Sequence, residues 1–115
     1  MRISVSATDD RGLESNVAQH FGRCPYYVFI DITDDQIEAV EVLPNPYYEN
    51  HTPRAVPAFI HERGADVMIA GGMGRRAIAS FEQYQIQPYT GAVGTVRRAL
   101  EQFHGGALVE AEPCK

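Results

Sequence analysis

The sequence predicts an α/β domain with a five-stranded mixed sheet and helices on both of its faces, in the order β-β-β-α-β-α-β-α. Three observations lead there. Residues 2–43 hold three alternating or β-branched stretches separated by turn clusters, the pattern of an antiparallel meander. From residue 53 onward the apolar residues recur at helical spacing, in three segments separated by short strand-like runs. Helices that follow the fourth and fifth strands imply right-handed crossovers, which place a helical layer on each face.

Residues 2–8 alternate apolar and small polar side chains, as a strand buried on one side does. Residues 26–32 are aromatic and β-branched, and residues 37–43 return after the turn Thr33-Asp34-Asp35, so the two form a hairpin. Pro44, Pro46 and Pro53 keep the next segment irregular. A helix follows, with Thr52 a plausible cap, Val56, Phe59, Ile60 and Arg63 on one face, and Gly64 at its end. Residues 66–70 are apolar without alternation, as a central parallel strand covered on both faces would be.

Gly71-Gly72-Met73-Gly74 opens a second helix carrying Ala77, Ile78, Phe81 and Tyr84 on one side. Residues 85–89 read as a short strand whose Pro88 suits an edge or a strand end. The third helix carries Val96, Ala99, Leu100 and Phe103 at one helical face and stops at Gly105-Gly106. One domain over residues 1–108 is expected, with residues 109–115 a flexible tail.

At 115 residues the chain suits a single core. A net charge of −5 argues against a general nucleic-acid or anionic-membrane binder. Cys24 and Cys114 are too few for a disulfide framework, which favours a reducing, cytoplasmic setting, and no run of apolar residues is long enough to span a membrane.

Strand direction then decides which loops share an edge. The loop between the first two strands carries His20-Phe21-Gly22-Arg23-Cys24-Pro25, and the end of the third strand brings Asn45, Tyr47, Tyr48 and His51 to the same edge. If the fourth strand runs parallel to the first, Gly71-Gly72-Met73-Gly74 and Thr90-Gly91-Ala92-Val93-Gly94 open there too, at the carboxyl ends where α/β sheets hold ligands.

Imidazole and thiolate suit soft or borderline metals and iron–sulfur-type clusters. The metal contacts expected are His20, Cys24 and His51. Two cysteines cannot build a closed structural zinc cage, so such a site is open or receives a preformed cofactor. The glycine turns present free N–H groups that favour an anion, and Arg75 and Arg76 follow at once on a helix start, where cations oppose the macrodipole. Gly71, Gly72, Met73, Gly74, Arg75, Gly91, Gly94 and Thr95 therefore join Arg23 as cofactor-binding candidates. Each feature also has a plainer use: Phe21 can anchor a loop with Cys24 as apolar filler, a glycine turn can merely reverse the chain, and Met73 can fill a gap. Asp9 and Asp10 can end a strand in a turn, or serve as carboxylates in magnesium-dependent phosphoryl transfer or nuclease chemistry. A metal-free small-anion or partner-docking module is the third possibility.

Ser6-Ala7-Thr8-Asp9, His20-Phe21-Gly22-Arg23-Cys24, Asn45-Pro46, Gly64-Ala65-Asp66-Val67, Ala70-Gly71-Gly72-Met73-Gly74 and Thr90-Gly91-Ala92-Val93-Gly94-Thr95-Val96 together resemble the dinitrogenase iron–molybdenum cofactor biosynthesis family, the NifX and NifB C-terminal-like proteins. The resemblance runs in matching order over nearly the whole chain. It implies a ribonuclease H-like fold and a non-catalytic carrier or scaffold that binds an iron–molybdenum or related metal–sulfur cluster transiently. The implied partners are cofactor-assembly or acceptor proteins, and His20 occupies the place of the histidine suggested as the cluster contact.

Overall fold

The computed structural model describes residues 1–49 and 55–110. Its strands are β1 (Arg2–Ala7), β2 (Tyr26–Thr33), β3 (Gln36–Pro44), β4 (Val67–Ile69), β5 (Gln87–Thr90) and β6 (Val109–Glu110), and its helices are α1 (Ala55–Glu62), α2 (Arg75–Gln83) and α3 (Val96–His104). They form one mixed sheet in the order β3-β2-β1-β4-β5-β6. β1 pairs antiparallel with β2 and parallel with β4, and β4 pairs parallel with β5. The five expected strands are present, and β6 adds a short sixth one. Val109 and Glu110 fall in the expected tail, yet they pair with Thr90 and Tyr89; residues 111–115 lie outside the described residues, as do Thr52 and His51.

Local chemistry explains the boundaries. Asp34 and Asp35 both take positive φ, 52° and 63°, the conformation of a two-residue hairpin turn that aspartate tolerates. In β5, Gln87 N–H donates to Asp66 O and Tyr89 C=O accepts from Ala70 N–H, so the intervening Pro88 turns its missing N–H away from β4. Among the described residues β6 pairs only with Tyr89 and Thr90, so Pro88 meets no strand partner on that side among them. α3 begins at Thr95, whose side-chain oxygen accepts from Arg98 N–H at 3.2 Å.

Two apolar clusters lie on opposite faces of the sheet. Ile3, Val5, Val28, Ile30, Val67 and Ile69 pack beneath Val96, Ala99 and Leu100 of α3. Tyr27, Phe29 and Met68 face the other way, against Val56 and Ile60 of α1 and Phe81 of α2. This three-layer arrangement corrects the one-sided reading of β1: Ser4 and Ser6 are as fully buried as Ile3 and Val5. Small side chains are needed there because the adjoining strand points Tyr27 and Phe29 into the same layer. Ser4 meets the cost of burial by donating to Val67 O at 2.9 Å.

Phe81 has no solvent exposure and meets Phe21 edge-on at 4.9 Å, so it joins α2 to the β1–β2 loop. Phe81→Ala is expected to lower unfolding free energy by about 3–5 kcal/mol in urea denaturation. A loss within the range of an exposed substitution would mean that this face is not close-packed.

Candidate functional site

β1, β4 and β5 end at one edge, where β2 and β6 begin. The loop leaving β1 does not wander there; residues 17–21 run beside the turns after β4 and β5 and bond to both. Ala18 N–H donates to Ser6 O and Val17 N–H to Gly94 O, each at 2.8 Å. Gly71 N–H donates to Ala18 O and Phe21 N–H to Gly72 O, both at 3.1 Å, and His20 stands in parallel register with Gly72. Gly71 permits this contact. A Cβ there would sit 2.9 Å from Gln19 Cα and 3.0 Å from Gln19 O, closer than real Cβ contacts occur.

Between this loop, the start of α1 and the first turns of α2 lies a cavity of about 680 Å³. One part of its wall is polar and cationic: His20, Arg23, Arg76 and the turn Gly71-Gly72-Met73-Gly74. The other part is apolar: Phe21, Val56, Pro57 and Ala77. Gln19 and Ser80 complete the polar lining, and among the described residues no carboxylate lines it.

Several expected contacts are elsewhere. Cys24 is 1% exposed, and its thiol is engaged with the main-chain oxygens of Tyr26 and Phe21 at 3.2 and 3.4 Å. Burial pushes the thiol above its ordinary pKa, against weaker opposition from the hydroxyls of Tyr27 and Ser6. A metal ligand must be a thiolate with access to the metal, and in this structure Cys24 packs in the core, off the cavity wall. Gly91, Gly94 and Thr95 do not line the cavity either; they brace it. Gly91 N–H donates to Gly71 O at 3.0 Å, Gly94 takes the positive φ of 85° that lets its carbonyl accept from Val17, and Thr95 bridges Asn16 while capping α3.

Arg75 is exposed and off the cavity wall, where Arg76 stands instead. Sequence spacing carried that signal: Arg76, Ala77 and Ser80 fall on one helical face. Asn45 is buried, and its side-chain amide donates to Cys24 O at 2.8 Å, so it ties the end of β3 to the His20 turn rather than facing a ligand. Tyr47 packs on the inner cluster and Tyr48 is 54% exposed. His51 lies outside the described residues.

The charge distribution is polar along the strands. Arg23 and Arg76 line the cavity and Arg75 stands beside them at the start of α2, and no ion pair engages these three among the described residues, whereas Arg11 and Arg97 are held by Asp9 and Glu14. Asp34, Asp35, Glu62, Asp66 and Glu82 sit at the opposite edge, in the turn between β2 and β3, before β4, and at the end of α2. An acidic protein thus presents a cationic mouth. The carboxylate of Asp9 is tied into its own turn: it accepts from the Ser15 hydroxyl and from Arg11, and the Ser15 bond above all holds its pKa below the usual carboxylate value. Among the described residues no three histidine, cysteine or acidic side chains converge as a metal-binding set. Among the described residues no helix is long and apolar enough to cross a membrane.

Comparison with known proteins places this fold: the model of the dinitrogenase iron–molybdenum cofactor family matches residues 1–106. The chain belongs to that family. Its fold superimposes on the crystal structure of PH0822 with a TM-score of 0.84, at 40% identity over 96% of each chain. The apo orange protein of Desulfovibrio gigas gives a TM-score of 0.85 at 27% identity, covering 99% of this chain and 96% of that one. MJ0580 of Methanocaldococcus jannaschii is 24% identical over 114 residues, which is 97% of this chain and 92% of the relative.

Two outcomes follow from this geometry. Gly71→Ala is expected to destabilise by about 1–3 kcal/mol, because the new methyl meets backbone that cannot swing away. Gly74→Ala, with nothing within 4 Å of the added carbon, costs clearly less in the same denaturation series. The second concerns alkaline pH. Folding raises the pKa of Cys24 and of Tyr27, chiefly by burial, so the unfolded chain releases those protons first. The stabilising contribution is complete below the unfolded-state values and is lost as pH rises, beginning near the ordinary thiol value of 9.0. Denaturant midpoints measured from neutral to alkaline pH should therefore fall above this point, and Cys24→Ala should flatten the first part of the decline; an unchanged decline would remove Cys24 as its source.

Proposed function

We propose that this protein is a non-catalytic carrier that holds an iron–molybdenum or related metal–sulfur cluster as cargo during cofactor biosynthesis or delivery. One observation carries the reading: a single imidazole, two arginines and an amide-rich glycine turn share a cavity that contains no carboxylate among the described residues. A protein-built metal cage needs several ligands, and among the described residues this wall supplies one imidazole, His20, with the weaker thioether of Met73 beside it. It suits a species that brings its own metal–sulfur bonds, takes one imidazole contact, and carries negative charge for Arg23, Arg76 and the main-chain N–H groups to neutralise. Sulfide is a soft, weakly hydrated surface, compatible with the apolar wall of Phe21, Val56, Pro57 and Ala77.

Membership of the iron–molybdenum cofactor family supports the cargo class, and the likeness to the orange protein, solved in an apo form, supports a fold that stands without its ligand. The strand order β3-β2-β1-β4-β5, with β2 antiparallel to both neighbours, supports a ribonuclease H-like assignment of the fold. A magnesium-dependent nuclease on this fold would need convergent carboxylates, and Asp9 is committed to its Ser15 and Arg11 turn. The carrier works in the cytoplasm and hands its cargo to assembly or acceptor proteins.

Anaerobic reconstitution with iron, sulfide and molybdate, followed by gel filtration, tests the reading. Visible absorption should travel with the protein. Replacing His20 with alanine, or either of Arg23 and Arg76 with glutamate, should lower retention about tenfold or more, since each removes a contact to a charged group. Raised salt should weaken retention in the wild type and less so in the arginine variants. Absence of protein-bound chromophore, or full retention in His20→Ala, would contradict the proposal.

A further inference from the structure

His20 is exposed, and among the described residues its imidazole has no hydrogen-bond partner; what fixes it lies in the main chain of the next residue. Phe21 N–H donates to Gly72 O at 3.1 Å, which holds the peptide plane between His20 and Phe21. The carbonyl of Phe21 accepts from the Tyr27 hydroxyl at 2.6 Å, which holds the plane after it, and Cys24 Sγ lies 3.4 Å from the same oxygen. The Phe21 ring, 4% exposed, is set between Tyr27 at 5.9 Å and Phe81 at 4.9 Å. Both dihedrals of residue 21 are therefore constrained, one plane by the cavity's own glycine turn and the other by a side chain of β2.

The geometry points to Tyr27 as a positioning residue for His20: its hydroxyl fixes the peptide plane beyond Phe21 and so sets where the imidazole enters the cavity. The inference rests on the carrier reading for its functional meaning. A buried tyrosine hydroxyl must find some acceptor, but this one reaches into a six-residue turn and takes the carbonyl adjacent to the candidate ligand. Phenylalanine would fill the same apolar space between Phe21 and Phe59 without the bond. Burial also holds the phenol's pKa well above the ordinary tyrosine value, so it donates across the working pH range. Asn45 completes the clamp from the other leg of the turn, donating to Cys24 O, with its own N–H donating to Pro25 O at 2.9 Å.

Tyr27→Phe separates the roles with two measurements. Hydrogen exchange on the apo protein requires no cargo: the Phe21 amide keeps its own bond to Gly72 O, but with the turn no longer held at the Phe21 carbonyl it should open more often and exchange about fivefold faster in the variant, as a local loss of about 1 kcal/mol gives, while the Ile30 and Ile69 core amides change little. Cluster retention is then compared in a double-mutant cycle with His20→Ala. Tyr27→Phe should weaken retention when His20 is present and have no further effect when it is absent. Equal weakening in both backgrounds would assign Tyr27 a general structural role and overturn the proposal, as would unchanged exchange at Phe21. If neither wild type nor variant retains a cluster, the carrier reading fails and the exchange result alone decides whether Tyr27 holds the turn.

Discussion

The site depends on one close approach: residues 18–21 lying against Gly71 and Gly72. Four polar main-chain groups satisfy one another there, and the contact exists because residue 71 has no side chain. Without it the β1–β2 loop would have no register relative to the end of β4, and His20 would be a surface histidine on a long loop. With it, a soft donor from one loop and a cationic, amide-rich helix start from another become two walls of one cavity. The turn after β5 reinforces the same contact from behind, through Gly91 to Gly71 and Gly94 to Val17. The chain thus uses two glycine turns differently, one to form the wall and one to hold the wall in place.

Electrostatics act on a longer scale. The net charge of −5 conceals a separation between an acidic edge and a cationic mouth. Arg75 and Arg76 stand on the first turn of α2, where the helix dipole disfavours them, so their placement is not explained by helix stability. An anion approaching the cavity meets the guanidinium groups of Arg23 and Arg76 and main-chain N–H donors, with no carboxylate on the wall among the described residues. The opposite edge carries Asp34, Asp35, Glu62, Asp66 and Glu82 against Arg2 and Arg63. Such a field orients the encounter without making the whole protein basic.

The order of elements and their directions were legible because each depends on short-range pattern: alternation in β3, helical periodicity in α3, an Asp-Asp turn between β2 and β3. Direction alone then brought the His20 loop to the glycine turn. What escaped the sequence depends on which way a side chain points. Ser4 and Ser6 imitate the solvent face of a strand, because smallness demanded by neighbouring aromatics looks the same as polarity demanded by water. Cys24 carries a ligand's chemistry, yet lies one strand start away from Tyr27 and turns into the core with it. Arg75 and Arg76 are adjacent in sequence, and only the helical face shared with Ala77 and Ser80 distinguishes the one that reaches the cavity. β6, two residues long, falls below the length at which periodicity has meaning.

The most direct measurement of the central claim is the iron, molybdenum and acid-labile sulfide content of the protein purified anaerobically from the cells that make it, beside a His20→Ala form expressed there in its place. The account predicts metal and sulfide together on the native protein and a marked loss of both from the variant. Native protein free of sulfide, or a variant that carries as much as the native form, would contradict it.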